Sequence, residues 1–225
     1  MPQLPFFMSR ELQNKDIVEF LSKTEFSAGL FDTLKIRYRT YICPFINLIG
    51  KIKPGDKVAD VGCGSGQFLL LVSRFADRPE SLFGIEITER LIHNAKELFA
   101  TQNQVPARFE TFDGSHFPDE LREMDVIFLI DVLHHVPLKH QQSFIKNLTE
   151  MMKPGARLIL KDINASSPLV LFNKIHDLIF AGEIGNEMKM RNAIELLEKN
   201  GMVINEEEKR RMYVYPHYTI VAQKK

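Results

Sequence analysis

Acids, glycines and histidines recur along this chain in an order that could hold a small ligand and move a proton. The first group lies in "VADVGCGSGQF", residues 58–68, where Asp60 precedes Gly62, Gly64 and Gly66 at every second place. Glycine lacks a Cβ and lets backbone approach a ligand closely. A helix opening after such a loop offers free N–H groups to a polar or anionic group. The spacing is not the dinucleotide pattern G-x-G-x-x-G, and without G-K-[ST] it is not a P-loop. A plain tight turn between strand and helix is the alternative. Glu86 lies 20 residues after Gly66, at a strand end, where an acid can take ribose hydroxyls or cap the next helix. Asp113 and Gly114, in "TFDGSHFP", can meet an adenine amino group or simply form an Asx turn. "DVIFLIDVLHHVP" ends an apolar run in Asp131 and continues with His134 and His135. Histidine titrates near neutral pH and can serve as a general base.

These groups need a scaffold that brings strand ends together. Residues 9–50 show apolar positions at helical spacing, and Gly50 with "KPGD" turns the chain. From there apolar strands and amphipathic helices alternate. "KVADV", "SLFGIEI", "ARFETF", "DVIFLID" and "ARLILKD" read as strands. "GQFLLLVSRFA", "TERLIHNAKELFATQN" (with Thr88 as its cap) and "LKHQQSFIKNLTEMM" read as helices. Alternation of this kind implies a parallel sheet covered on both faces. "MVINEEEKRR" and "MYVYPHYTIVAQK" read as two closing antiparallel strands joined by a charged turn. The expected fold is α/β and doubly wound. Residues 1–50 form a helical N-terminal cap and 51–225 the core, with a helical insertion at about 164–190 before the last helix. Cap and insertion together could form a lid.

Bulk properties narrow the field. The 225 residues include 29 Lys plus Arg and 29 Asp plus Glu, so net charge is zero. That balance argues against a general electrostatic grip on nucleic acid. Two cysteines, Cys43 and Cys63, leave no disulfide framework and fit a reducing cytoplasm. The opening residues do not read as a signal peptide. No apolar run is long enough to cross a bilayer.

Taken in order, the glycine loop, Glu86, Asp113-Gly114, "IDVLHHV" and "MKPGARLIL" resemble the class I S-adenosylmethionine-dependent methyltransferases of small-molecule type. The resemblance covers residues 55–161 and, by topology, the closing strands. It implies a Rossmann-like seven-stranded, mostly parallel sheet with an antiparallel last strand. It implies that Asp60, Gly62, Gly64 and Gly66 hold the methionine half of the cofactor. Glu86 would take both ribose hydroxyls, Ile87 would pack on adenine, and Asp113 with Gly114 would read its amino group. Ile130 and Asp131 would line the sulfonium region. Arg39, ahead of Arg37 and Tyr38, is the candidate for the cofactor carboxylate, a solvated helix face being the alternative.

Methyl transfer from a sulfonium is an in-line displacement that rests on near-attack geometry. A base is needed where the nucleophile must lose a proton early. His135 is the first candidate, ahead of His134, with Asp131 beside them. Adjacent histidines point apart and no Cys or carboxylate pair completes a metal spacing, so no metal is expected. His176 and His217 are expected to face solvent or be locally satisfied, with an acceptor-pocket role as the alternative. "IDVL" is not the Asn/Asp-Pro-Pro-aromatic motif of amide- and base-nitrogen methyltransferases. The aromatics Phe6, Phe7, Phe26, Phe31, Tyr38 and Tyr41 make either core or an apolar pocket. The expected acceptor is a hydroxyl on a small apolar or aromatic molecule. The alternatives are a noncatalytic S-adenosylmethionine-binding protein, a methyltransferase for protein or RNA, and a nicotinamide-dependent oxidoreductase. Oligomeric state is not readable.

Overall fold

The computed structural model describes residues 12–24, 30–101, 105–167, 169–170 and 185–225, with backbone alone over 30–35. Three helices come first: α1 (Asn14–Lys23), α2 (Leu30–Ile42) and α3 (Phe45–Ile49). Pro44 separates α2 from α3, because its ring and missing N–H cannot continue a helix. Then follow β1 (Lys57–Val61), α4 (Gln67–Phe75), β2 (Ser81–Glu86), α5 (Glu89–Ala100), β3 (Ala107–Thr111) and β4 (Val126–Ile130). The chain closes with α6 (Leu138–Met151), β5 (Arg157–Ile163), α7 (Met190–Lys199), β6 (Met202–Met212) and β7 (Tyr215–Lys224). The expected insertion lies mostly outside the described residues, and His176 with it.

The seven strands form one sheet in the order β3-β2-β1-β4-β5-β7-β6. Strands β1 to β5 pair in parallel, and β7 runs antiparallel to both β5 and β6. Apolar runs such as Val126–Ile130, buried at every position, explain the parallel centre. A strand covered on both faces has no polar side to show. The stretch "MVINEEEKRR" is a strand as expected, and its charged run Glu206–Arg211 lies within β6, an edge strand. The joining turn is not charged: the bend falls at Tyr213, with φ of 53°.

The sheet divides two apolar cores. On one face α1, α3, α4 and α5 cover Val58, Val126, Phe128, Ile159 and Val221. On the other, α6 and α7 cover Val61, Ile127, Leu129, Leu160 and Ile220. The N-terminal helices are not detached from the sheet: Ile17, Leu21, Phe45 and Leu48 share the first core, and the Phe45 ring stacks 6.1 Å from Phe68 of α4. Tyr38 and Tyr41 lie outside it, each about two-fifths exposed at 42% and 43%. Phe6, Phe7, Phe26 and the side chain of Phe31 lie outside the described residues. Both cysteines are free and buried. No helix among the described residues is long and apolar enough to cross a membrane.

Candidate active site

The loop after β1 turns by three left-handed residues, Gly62 (φ 78°), Gly64 (φ 54°) and Gly66 (φ 80°). Backbone bonds anchor it to β2, since the Gly62 and Cys63 N–H groups both donate to the Ile85 carbonyl, at 2.8 and 3.0 Å. The three glycines are alike in sequence but not in surroundings. A Cβ on Gly62 would lie 2.4 Å from Val132 Cγ2, and one on Gly66 would lie 3.1 Å from Ala95 Cβ. At these two positions a side chain would meet protein as well as a left-handed backbone, so packing alone already calls for glycine there. Only at Gly64 does a Cβ meet nothing within 4 Å. Gly84, in β2, was missed by the sequence reading. A Cβ there would strike Phe109 at 2.6 Å.

The carboxylate of Glu86 reaches back to this open place. Its Oε2 accepts from the Gly64 N–H at 3.2 Å and its Oε1 from the Thr88 N–H at 3.1 Å. Thr88 does sit at the start of α5, but its side chain makes no capping bond. The cap expected of its hydroxyl is replaced by Glu86 on its backbone. Ile87 is 63% exposed, and its Cγ2 is the atom nearest a Cβ built on Gly114, at 3.7 Å. Ile87 and Gly114 therefore border one apolar place beyond Glu86. Asp113 forms the Asx turn. Its Oδ1 accepts from the Ser115 and His116 N–H groups, both at 2.7 Å, and its Oδ2 lies 2.6 Å from His116 Nδ1. The His116 bond and the two backbone bonds hold its carboxyl well below the usual range.

Asp60 is buried at the end of β1. Burial pushes its carboxyl up to about 7, against the pull of Arg39 and with the help of the Glu86 charge. The folded state thus holds a proton that the unfolded chain releases near the ordinary 3.8. That contribution to stability is complete below about pH 4 and is lost as pH rises through 7. The expected result is that Asp60→Asn flattens the decline in denaturation free energy over this window. An unchanged slope would place the linkage elsewhere.

Helix α2 lies across the strand ends. Gln67, buried in the first turn of α4, donates to the Ile36 carbonyl at 2.7 Å. Arg37 is exposed. Arg39 points inward rather than along a solvated face. Its guanidinium lies 3.4 Å from both the Ile130 carbonyl and Asp131 Oδ2. The hydroxyls of Tyr38 and Tyr215 are 3.4 Å apart.

Asp131 follows β4 in a left-handed conformation, φ 57°, which aspartate tolerates better than most residues. Its Oδ1 takes Lys161 Nζ at 2.5 Å, and the lysine is 1% exposed. Burial works to raise the Asp131 pKa. The Lys161 and Arg39 charges outweigh it and hold the carboxyl well below its usual range. A carboxylate so stabilised is a weak proton acceptor, which counts against Asp131 as a base. His134 is buried, with Nδ1 2.5 Å from Asp162 Oδ1. Its ring lies 4.1 Å from that of His135, which is only half-buried.

His217 contradicts both expectations for it. It is 3% exposed, and neither ring nitrogen has a hydrogen-bond partner among the described residues. Lys161 and His217 were legible only weakly: the one as a charge inside the apolar run "LILKD", the other as a lone histidine in a strand. No group of three or more His, Cys, Asp or Glu residues that could hold a metal ion occurs among the described residues.

Comparison with known proteins follows this geometry. The model of a family described as "Methyltransferase domain" matches residues 34–207. Ubiquinone biosynthesis O-methyltransferase of Coxiella burnetii (strain RSA 493 / Nine Mile phase I) is 32% identical over 118 residues, covering 52% of this chain and 48% of that protein. The 27-O-demethylrifamycin SV methyltransferase of Amycolatopsis mediterranei is 29% identical over 113 residues, 49% of this chain and 40% of that protein. The chain thus spans about half the length or less of these curated relatives. Among solved structures, magnesium protoporphyrin IX methyltransferase from Synechocystis PCC 6803, with bound SAH, superposes with a TM-score of 0.67 at 19% identity, covering 94% of each chain. That likeness concerns the fold.

Proposed function

Since the chain belongs to the S-adenosylmethionine-dependent methyltransferase family, we propose that it transfers the methyl group to a hydroxyl of a small apolar or aromatic molecule. The observation that carries this reading is the cradle at Gly64. Open space stands where its side chain would be, with the Glu86 carboxylate on its N–H and the Ile87–Gly114 border beyond. These residues fit an amino-acid end, a ribose and an adenine in that order. Asp60 and the glycine loop would hold the methionine half. Arg39 keeps donors to spare beside its two long bonds and would meet the carboxylate. Glu86 would exchange the Gly64 N–H for ribose hydroxyls. Ile87 would lie against the adenine, with Asp113 and Gly114 at its edge. Ile130 and Asp131 would border the sulfonium. Bound there, the cofactor supplies a methyl carbon activated for displacement.

The chain's own work is placement and proton handling. Helix α2 covers the strand ends and excludes water, which strengthens every polar contact beneath it. His135, half-buried at the mouth, is the proposed base for the acceptor hydroxyl. His134, fixed by Asp162, is the proposed support behind it. The hydroxyl assignment is supported by relatives named as O-methyltransferases, and by the absence of the Asn/Asp-Pro-Pro-aromatic motif from "IDVL".

The test is incubation with methyl-labelled S-adenosylmethionine and three acceptor sets: phenols and alcohols, amines, and carboxylic acids. Label recovered as an ether supports the reading, and label recovered only on nitrogen or as an ester overturns it. Glu86→Ala is expected to weaken S-adenosylhomocysteine binding by about 1–3 kcal/mol, the cost of stranding polar partners. Calorimetric titration reads this directly, and unchanged affinity would remove Glu86 from the site.

A further inference from the structure

His217 is a buried imidazole whose ring nitrogens meet no partner of full hydrogen-bond geometry among the described residues. Native proteins strand few buried polar atoms, and each one asks for a reason. Strand register places it. In the β5–β7 pairing His217 stands opposite Ile163, and Thr219 stands opposite Lys161. Side chains two residues apart share a face, so His217 and Lys161 lie on the same side of the sheet, at its α2 end. The Ile42 backbone at the end of α2 lies beside the ring without hydrogen-bond geometry. Tyr215 stacks near it, with ring centroids 6.3 Å apart and planes 13° from parallel. The Tyr215 hydroxyl meets that of Tyr38, which is 42% exposed. Tyr215 thus links the buried His217 ring to the exposed Tyr38. Lys161 and Asp131 sit beside it, and Asp131 borders the proposed methyl-transfer site.

We propose that His217 holds a hydroxyl group of the methyl acceptor, in a subsite formed with Tyr215, Lys161 and Asp131 beneath α2. This rests on the reading that the acceptor carries a hydroxyl. The ring's charge state selects the ligand. Burial first, and then the Lys161 charge, lower the His217 pKa to about 3, although Asp131 pulls the other way. The imidazole is neutral at pH 7, with one nitrogen donating and the other accepting. A hydroxyl does both and suits either nitrogen. A carboxylate would find a single donor in the ring. With so low a pKa, His217 is a binding group rather than the base.

The test uses the full chain saturated with S-adenosylhomocysteine and titrated with catechol, a vicinal aromatic diol, and with the dimethyl ether of catechol. His217→Phe is expected to weaken catechol binding about tenfold or more, the scale of a lost buried hydrogen bond, with S-adenosylhomocysteine affinity unchanged. The wild-type preference for catechol over its dimethyl ether is expected to collapse in the same variant. His217→Gln, which keeps a donor and an acceptor, is expected to recover part of it. Equal catechol affinity in wild type and His217→Phe overturns the inference. Should the phenylalanine variant fail to fold, the wild-type His217 ring nitrogen resonances decide. A shift on adding catechol supports the subsite, and none overturns it. Methyl transfer to catechol with equal kcat/KM in both proteins would sink this inference and spare the hydroxyl function. Methyl transfer by the wild type to amines alone would sink both.

Discussion

Gly64→Val is expected to abolish binding of S-adenosylmethionine and leave the fold standing. The backbone at Gly64 is left-handed, so any side chain there carries a strain of roughly 1–2 kcal/mol, and a β-branched one somewhat more. A domain of this size has about 5–15 kcal/mol to lose. Beyond its chain neighbours, no atom of the described residues lies within 4 Å of the new Cβ, so the Cβ itself is accommodated in the free protein. The added methyl groups occupy instead the place where a ligand must approach the loop, next to the Glu86 carboxylate. Gly62→Ala is the counterpart. Its single methyl would lie 2.4 Å from Val132 Cγ2, and a stiff branched side chain cannot swing away. That variant is expected to lose stability first and binding only as a consequence. Thermal melting with calorimetric titration separates the two. A Gly64→Val protein that binds normally would show that close backbone approach is not why glycine stands there.

Lys161→Met is expected to cost about 3–5 kcal/mol of stability, the penalty for removing one partner of a buried pair. The lysine side chain is 1% exposed and that of Asp131 23%. Without Lys161, the carboxylate keeps one ion pair among the described residues, with Arg39 at 3.4 Å. Methionine fills similar volume, so the loss measures charge rather than a cavity. Asp131→Asn in the same chain is expected to restore much of the loss, since asparagine tolerates the left-handed backbone and needs no counter-charge. The sign with pH also follows. The Asp131 pKa is depressed in the folded state, so its pairing stabilises above the unfolded carboxylate pKa and fades as acid is added. Lys161→Met should therefore be less acid-sensitive than wild type. Urea denaturation of the wild type and the two variants measures all of this. A single-variant cost below about 1 kcal/mol, the value of an exposed pair, would mean that water reaches Asp131 freely.

Much of the fold was legible because its signals are local. Val126–Ile130 reads as a covered strand, and Gly50 with the turn after it closes the helical stretch. The strand-helix rhythm then dictates a parallel sheet, and two long final strands dictate the antiparallel ending. What was not legible depends on partners distant in sequence. Gly62, Gly64 and Gly66 look equivalent in a string, yet Val132 and Ala95 decide two of them and open space the third. The uncharged bend at Tyr213 was not legible, because nothing in the local sequence marks its left-handed backbone. Arg39 was singled out, but its pairing with Asp131 joins residues 92 positions apart. Lys161 was passed over, and His217 was named without its burial, for the same reason. One lysine in an apolar run and one histidine in a strand carry no period to read.

The sheet is a wall as well as a floor, and it partitions the protein's tolerance to change. Asp60, Lys161 and His217 belong to the side that α2 closes, whereas Asp162, Tyr218 and the packing under α6 and α7 belong to the other. Residues that share no partners contribute nearly additively. Substitutions that reshape the α2 side should therefore combine with those in the α6–α7 core without epistasis. Only Asp131 and the two histidines after it, where the chain passes from one side to the other, should resist being changed one at a time. A lineage could revise its acceptor on one side of that wall and keep its fold on the other.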